Sequence, residues 1–288
     1  MSFKNKSSYK HHLNKRRRFN ELEPGLSGFL CTCNNKLKEK NCIWEAYSIL
    51  NEYADKLFGP ENPEKSGDEE ISDSDKLSNL KNCENNKQND SIEDELQKEI
   101  ESIKSKFNKK IEERRFQAIQ SGANGIVFIR STVKDPVKLA HHIVKSLSNI
   151  QKSKFLLRLL PIEITCKAYI EDICNACDSL FDKYFCQEEK TFAIIFNHRN
   201  NERLKRDEVI NKVADLVAKK NNNHKVDLKN PQLSILIEII RSICCISVVP
   251  EFHSLKKYNL LELAVQNNNT NNNRAKEKCD ELKSGEEE

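Results

Sequence analysis

From Ser153 to Leu263 the chain changes its hydrophobic period repeatedly while staying rich in apolar residues, and that alternation restricts what it can fold into. Residues 155–160 form a short apolar run, interrupted by Arg158 and closed by Pro161, and residues 162–168 read as extended chain continuing from it. Ile170, Ile173, Cys174, Cys177, Leu180, Phe181 and Tyr184 then recur at three- and four-residue spacing, which marks an amphipathic helix. Residues 191–196 have strand length and are almost wholly apolar. Residues 197–205 read as a cationic loop, and Asp207 is placed to cap a second helix with Val209, Ile210, Val213, Ala214 and Val217 on one face. Residues 226–228 are extended. Residues 234–240 and 245–249 are apolar at nearly every position, so the pattern predicts strands in a sheet covered by helices.

The N-terminal half carries a different order. After the Pro24-Gly25 turn, residues 28–33 read as a strand. Ile43, Ala46, Tyr47, Leu50, Tyr53, Ala54 and Leu57 mark a helix that Gly59-Pro60 stops. Residues 116–121 and 125–130 flank a Gly-Ala-Asn-Gly turn and read as a hairpin, and Asp135-Pro136 opens a helix expected to reach residue 151. Strand, helix, strand, strand, helix is part of a ferredoxin-like pattern. Ile92, Leu96, Ile100, Ile103, Phe107 and Ile111 suggest one more charged helix. The expected organisation is a disordered basic arm at 1–23 and a ferredoxin-like domain at 24–151 holding a disordered acidic insert at 61–96. A second domain at 152–264 and a disordered tail at 265–288 complete it. The fold class is α+β or α/β.

The net charge of +4 conceals strong segregation. Lys4, Lys6, Lys10 and Lys15-Arg16-Arg17-Arg18 crowd an arm without a carboxylate, whereas the insert and the last residues are acidic. A cationic arm beside a neutral-to-basic core points to a polyanion partner, and its Lys-Arg run fits a nuclear localisation patch or a phosphate-binding arm. The eleven cysteines are odd in number, no secretory leader precedes the chain, and residues 233–249 are broken by Glu238 and Arg241. A reduced, intracellular protein without membrane association is expected.

Motifs for chemistry are scarce. Cys174 and Cys177 fall on the apolar stripe of a helix without a second ligand pair, so packing is expected and not metal. The paired His11-His12 and His141-His142 lack companions at ligand spacing. No glycine-rich phosphate loop, nucleophile elbow or paired acid and base stands out. No catalytic residue, cofactor or small-molecule substrate of its own is expected. The recurring signal is cationic: Arg158 and Lys167 beside Pro161, then His198, Arg199, Arg203, Lys205 and Arg206 after the buried strand. Lys225, Lys229 and Asn230 precede the final strand pair, and Lys256 and Lys257 follow it. Cations at strand ends suit phosphate contacts on RNA, and the scarcity of aromatic residues expected at the surface favours backbone and shape recognition over base stacking.

Phe155-Leu156-Leu157-Arg158-Leu159-Leu160-Pro161, Phe192-Ala193-Ile194 running into His198-Arg199, and Val226-Asp227-Leu228-Lys229-Asn230-Pro231 before Ile235 to Ile239 resemble the THUMP domain. Cys245 to Val249 fits its closing strand. Leu22-Glu23-Pro24-Gly25, Cys31-Thr32-Cys33 and the helix through Tyr47 and Tyr53 resemble one subfamily, the eukaryotic adaptor for tRNA cytidine acetylation. The resemblance implies a ferredoxin-like domain and a THUMP domain gripping tRNA together. It implies a non-catalytic role, since other THUMP proteins append a catalytic domain. The adaptor would present serine and leucine tRNAs to an RNA cytidine acetyltransferase that forms N4-acetylcytidine in the D-arm. Acetyl-CoA would belong to that partner, and the setting would be the nucleus or nucleolus, with the cytoplasm also open. Many THUMP domains place two basic residues after the central strand, where this chain has Asn197-His198-Arg199. Two other readings stay open: an RNA-modifying enzyme with an unrecognised site, and a protein scaffold acting through the acidic insert.

Overall fold

The computed structural model describes residues 21–60, 114–148 and 150–264. Nearly all of the basic arm, the acidic insert, the helix expected over residues 92–111 and the polar tail lie outside the described residues.

The first sheet comes from β1 (Gly28–Cys33), α1 (Glu39–Phe58), β2 (Phe116–Gln120), β3 (Ile126–Ser131), α2 (Pro136–Ser146) and β4 (Leu156–Ile162). Its strand order is β2-β3-β1-β4, with antiparallel neighbours throughout, which is the ferredoxin-like arrangement. Helix α1 buries Cys42, Ala46, Ile49, Leu50, Tyr53 and Ala54 along one stripe. Helix α2 starts as its sequence dictates: Asp135 accepts a 2.9 Å bond from the Lys138 N–H, and Pro136 occupies the first turn. It ends at Ser146, short of residue 151.

Strand β4 is the first departure from the sequence reading. Its apolar run was expected to open the second unit, but it pairs with β1 in the register Leu30↔Leu160 and Thr32↔Arg158. Periodicity identifies a strand, whereas its partner depends on register and tertiary packing. As an edge strand β4 tolerates Pro161 opposite Phe29. The Glu45 carboxylate on α1 accepts from the backbone N–H groups of Phe155 (2.8 Å) and Leu156 (2.9 Å), anchoring the entry to β4.

The chain crosses to the second sheet at Glu163. There β5 (Ile164–Lys167), α3 (Ile170–Tyr184), β6 (Thr191–Arg199), α4 (Arg206–Lys220), β7 (Lys225–Val226), β8 (Leu233–Ile240) and β9 (Ile243–Pro250) follow. The order is β5-β9-β8-β6-β7. Strand β6 runs parallel to β7 and β8, while β9 is antiparallel to both β8 and β5. Two further expectations are corrected. Asn197, His198 and Arg199 are not loop: they extend β6 and pair with Glu238, Ile239 and Ile240. Their polarity reflects an exposed strand end rather than lost pairing. Helix α4 begins at Arg206 with Lys205 at the cap position, and Asp207 lies inside the first turn, where a carboxylate still favours the helix dipole.

All eight residues of β8 are buried because its two faces belong to different cores. Ile235, Ile237 and Ile239 join Ile173, Cys177 and Phe181 of α3 and Val209, Val213 and Val217 of α4. Leu236 and Ile240, with Cys245 and Val249 of β9, join the cluster of the first sheet. The expected helical cover therefore exists on one face, and the first unit supplies the other. Thr165 ties the same junction from β5: its hydroxyl donates to the Glu23 carbonyl (2.8 Å) and accepts from the Leu26 N–H (2.8 Å).

Gly28 opens β1 at φ +155°, and a Cβ there would lie 2.0 Å from the Ile129 carbonyl oxygen. Backbone on the neighbouring strand cannot yield as a side-chain tip can. Gly28→Ala is expected to destabilise the protein by about 2–3 kcal/mol, the usual cost of overpacking and backbone strain, as read from urea denaturation.

Candidate nucleic-acid interface

One end of the second sheet gathers several chain turns. Strand β5 ends at Lys167, β6 at Arg199, and β8 turns into β9 through Arg241-Ser242. The Arg241 N–H donates to the Arg199 carbonyl (2.9 Å), and the Ala168 N–H donates to the Ser242 carbonyl (2.8 Å). The Asn201 amide donates to the Arg241 carbonyl (2.6 Å) while its oxygen accepts from the Arg203 N–H (3.0 Å). These bonds frame a groove of about 780 Å³ whose lining includes Gly122, Tyr169, Asn201, Arg203 and Arg241. Lys167, Arg199, Arg203 and Arg241 therefore come to one rim, with Lys205 and Arg206 following at the start of α4.

The rim is held in unusual backbone. Asn200 and Arg241 have φ of 54° and 55°. Asparagine adopts this region readily, but for arginine it costs on the order of 1 kcal/mol. The two backbone bonds to Arg241 and its side chain offset that cost. A Cβ added to Gly122, in the β2–β3 turn, would sit 2.7 Å from the Arg241 Cδ and Nη1, so the side chain lies across the glycine. Only a residue without a side chain leaves it that room.

A second recess opens beside the rim, between the two sheets. It measures about 290 Å³ and is lined by Arg158, Asn197, His198, Arg199 and Glu238 over an apolar floor of Leu30, Ile126 and Leu160. Glu238 is only 6% exposed. One of its oxygens accepts from the Asn197 amide at 2.7 Å. Burial pushes its carboxyl above the usual range, against the Asn197 bond and the charges of Arg199 and Arg158. The Arg158 Nε is buried without a hydrogen-bond partner.

The remaining expected contacts lie elsewhere. Lys225 pairs with Thr191 at the opposite end of β6 from Arg199, so eight strand residues, about 26 Å, separate them. Lys229 and Asn230 belong with Lys225: their N–H groups donate to Asp227 at 2.9 and 3.1 Å. The Asn230 and Lys229 bonds hold that carboxyl below its usual range. Lys256 and Lys257 sit in a short left-handed turn after β9, with φ of 51° and 57°. Sequence reasoning did not select Glu238, Asn197, Asn200, Asn201, Tyr169 or Arg241 as site residues. The available signal was Glu238, a lone carboxylate in an otherwise apolar strand. Two aromatics also stand clear of the core, Trp44 at 80% and Tyr169 at 56% exposure.

Cys177 is buried, which pushes its thiol up, and Cys174 is half-buried. Among the described residues no group of three or more His, Cys, Asp and Glu side chains could hold a metal ion. No helix among them is long and apolar enough to cross a membrane.

Comparison with known proteins places the second sheet in a class: residues 167–249 match the THUMP domain. The similarity then extends well beyond that domain. THUMP domain-containing protein 1 of Bos taurus is 40% identical over 246 residues, covering 84% of this chain and 64% of the relative. The THUMP domain-containing protein 1 homolog of Drosophila melanogaster is 40% identical over 251 residues, covering 84% of this chain and 75% of the relative. The chain belongs to the THUMP domain-containing protein 1 family. It spans just under two thirds of the length of its bovine relative. A more distant relative, tRNA acetyltransferase TAN1 of Saccharomyces cerevisiae, is 27% identical over 265 residues, covering 84% of this chain and 86% of that protein.

The buried carboxyl has a measurable consequence. A folded-state pKa raised above the unfolded value means Glu238 contributes stability at low pH that is lost as pH rises through the folded value. Glu238→Gln is therefore expected to stabilise the protein by about 1 kcal/mol at neutral pH. The gain should shrink as pH falls toward the ordinary glutamate range near ~4.3. Urea denaturation of both proteins across that interval measures it.

Proposed function

We propose that the protein is a non-catalytic tRNA-binding adaptor. In this reading it presents serine- and leucine-type tRNA to a separate RNA cytidine acetyltransferase that forms N4-acetylcytidine in the D-arm. The observation that carries the reading is the convergence of Lys167, Arg199, Arg203 and Arg241 on one rigid rim of a THUMP fold. Lysine and arginine at such a rim neutralise phosphates and release counterions, which provides affinity without base sequence. Strand ends hold these charges at fixed spacing, so the rim reads backbone shape. The name of the yeast relative connects this architecture with tRNA acetylation. Acetyl-CoA and the acetyl transfer belong to the partner, and a nuclear or nucleolar setting follows from that task.

The yeast name also favours a second reading, in which the chain itself transfers the acetyl group. Incubating purified protein with tRNA and acetyl-CoA, with and without an RNA cytidine acetyltransferase, separates the two. Under the adaptor reading N4-acetylcytidine forms only when both proteins are present. Product from this chain alone establishes the second reading.

Charge reversal tests the rim. Arg199→Glu with Arg203→Glu is expected to weaken tRNA binding about tenfold or more, and to lower the salt dependence by about one unit for each phosphate contact removed. Lys225→Glu with Lys229→Glu, at the far end of β6, should have a smaller effect. Filter binding over a salt series reads both.

A further inference from the structure

The recess between the sheets differs from the rim in its chemistry. A phosphate site would gather cations and exclude carboxylates, yet the most buried charged group in this recess is Glu238. Its first oxygen is occupied by the Asn197 amide. Among the described residues no other side chain bonds the carboxylate, and neither Arg158 nor Arg199 forms a direct ion pair with it although both lie close enough to influence it. The Arg158 Nε remains buried and unpartnered in the same recess. A buried carboxylate and a buried guanidinium donor that face one cavity without meeting leave a donor and an acceptor unsatisfied, which is costly.

The two requirements are complementary on one edge of a planar ring. One free carboxylate oxygen asks for one N–H donor. The guanidinium groups ask for acceptors. Leu30, Ile126 and Leu160 provide an apolar surface against which a ring can lie. The pairing edge of cytosine offers an amino donor beside a ring nitrogen and a carbonyl acceptor. Guanine presents two adjacent donors and is best met by both oxygens of a carboxylate, one of which is taken here. Uracil presents no amino donor. Exposed Asn197, His198 and Arg199 stand at the mouth, continuous with the cationic rim.

We propose that this recess takes one unstacked cytosine of a bound RNA strand, its amino group donating to Glu238 and its ring nitrogen and carbonyl accepting from Arg158 and Arg199. This rests on the reading of the protein as an RNA binder and adds base selectivity to the phosphate contacts of the rim. Arg158 then acts as a base reader, which explains why it sits inside the cleft rather than with the exposed cations.

The experiment is fluorescence anisotropy with labelled oligo(C), oligo(U) and oligo(A) of equal length, alongside intact tRNA, using the full chain. Wild-type protein is expected to prefer oligo(C) about tenfold, the scale of one good base-edge contact. Glu238→Gln and the charge-conserving Arg158→Lys should each reduce that preference toward unity while oligo(U) binding persists, because lysine keeps a phosphate contact but lacks the planar fork. Thermal melting monitors folding, and Glu238→Gln is the variant expected to fold at least as well as wild type. Equal affinity for the three oligomers, or a preference that survives both substitutions, overturns the proposal. Tight tRNA binding without base preference removes the cytosine recess and leaves the adaptor reading in place. An oligo(C) preference without tRNA binding does the reverse.

Discussion

The β8–β9 hairpin is buried on both faces, and the rest of the structure is arranged around that fact. A strand with Ile235, Ile237 and Ile239 on one side and Leu236 and Ile240 on the other cannot stand at a solvated sheet face. Burying one large aliphatic side chain is worth about 1.5–3 kcal/mol, so exposing either row would cost much of the stability of a typical domain. Helices α3 and α4 cover one row. The ferredoxin-like unit covers the other, and the two sheets thereby share a core.

That shared core requires the chain to change sheets without leaving buried backbone unsatisfied. Glu163 does this at the break between β4 and β5. Its carboxylate accepts from the Tyr184 hydroxyl (2.7 Å), from the Val248 N–H (3.1 Å) and from Lys183 (3.0 Å), joining α3 and β9 to the crossing point. Burial, with the Glu163 charge beside it, pushes the Tyr184 phenol up, so it remains a donor. Thr165 then fastens the N-terminal turn, and Gly122 lies under Arg241 from the other direction. The rim and the recess both form along this junction, which neither unit could build alone.

Much of the secondary structure was legible from spacing. The stripes of α1, α3 and α4, the β2–β3 hairpin and the apolar strands are local patterns, and each depends on the period at which side chains point inward. The errors occurred where a local pattern does not determine the outcome. Asn197-His198-Arg199 is polar because it is exposed, yet it pairs to its end with β8. Leu156–Ile162 is a good strand in any sheet, and only its register with β1 assigns it to the first. For the candidate site, the type of residue was legible and the grouping was not. Lys225 and Arg199 look equivalent along the chain but sit at opposite ends of one strand. Arg241 reads as a break between strands, and its position over Gly122 requires the fold.

The sequence by itself determined that two α/β units would form, that β8 and β9 could not face water, and that cations would cluster at strand ends and loops. These follow from side-chain period and from the cost of leaving aliphatic residues in solvent. Only the tertiary structure decided which surface covers the second face of the hairpin, which cations share a rim, and that Glu238 and Arg158 look into one recess. Those outcomes depend on strand register and on packing between residues far apart in the chain.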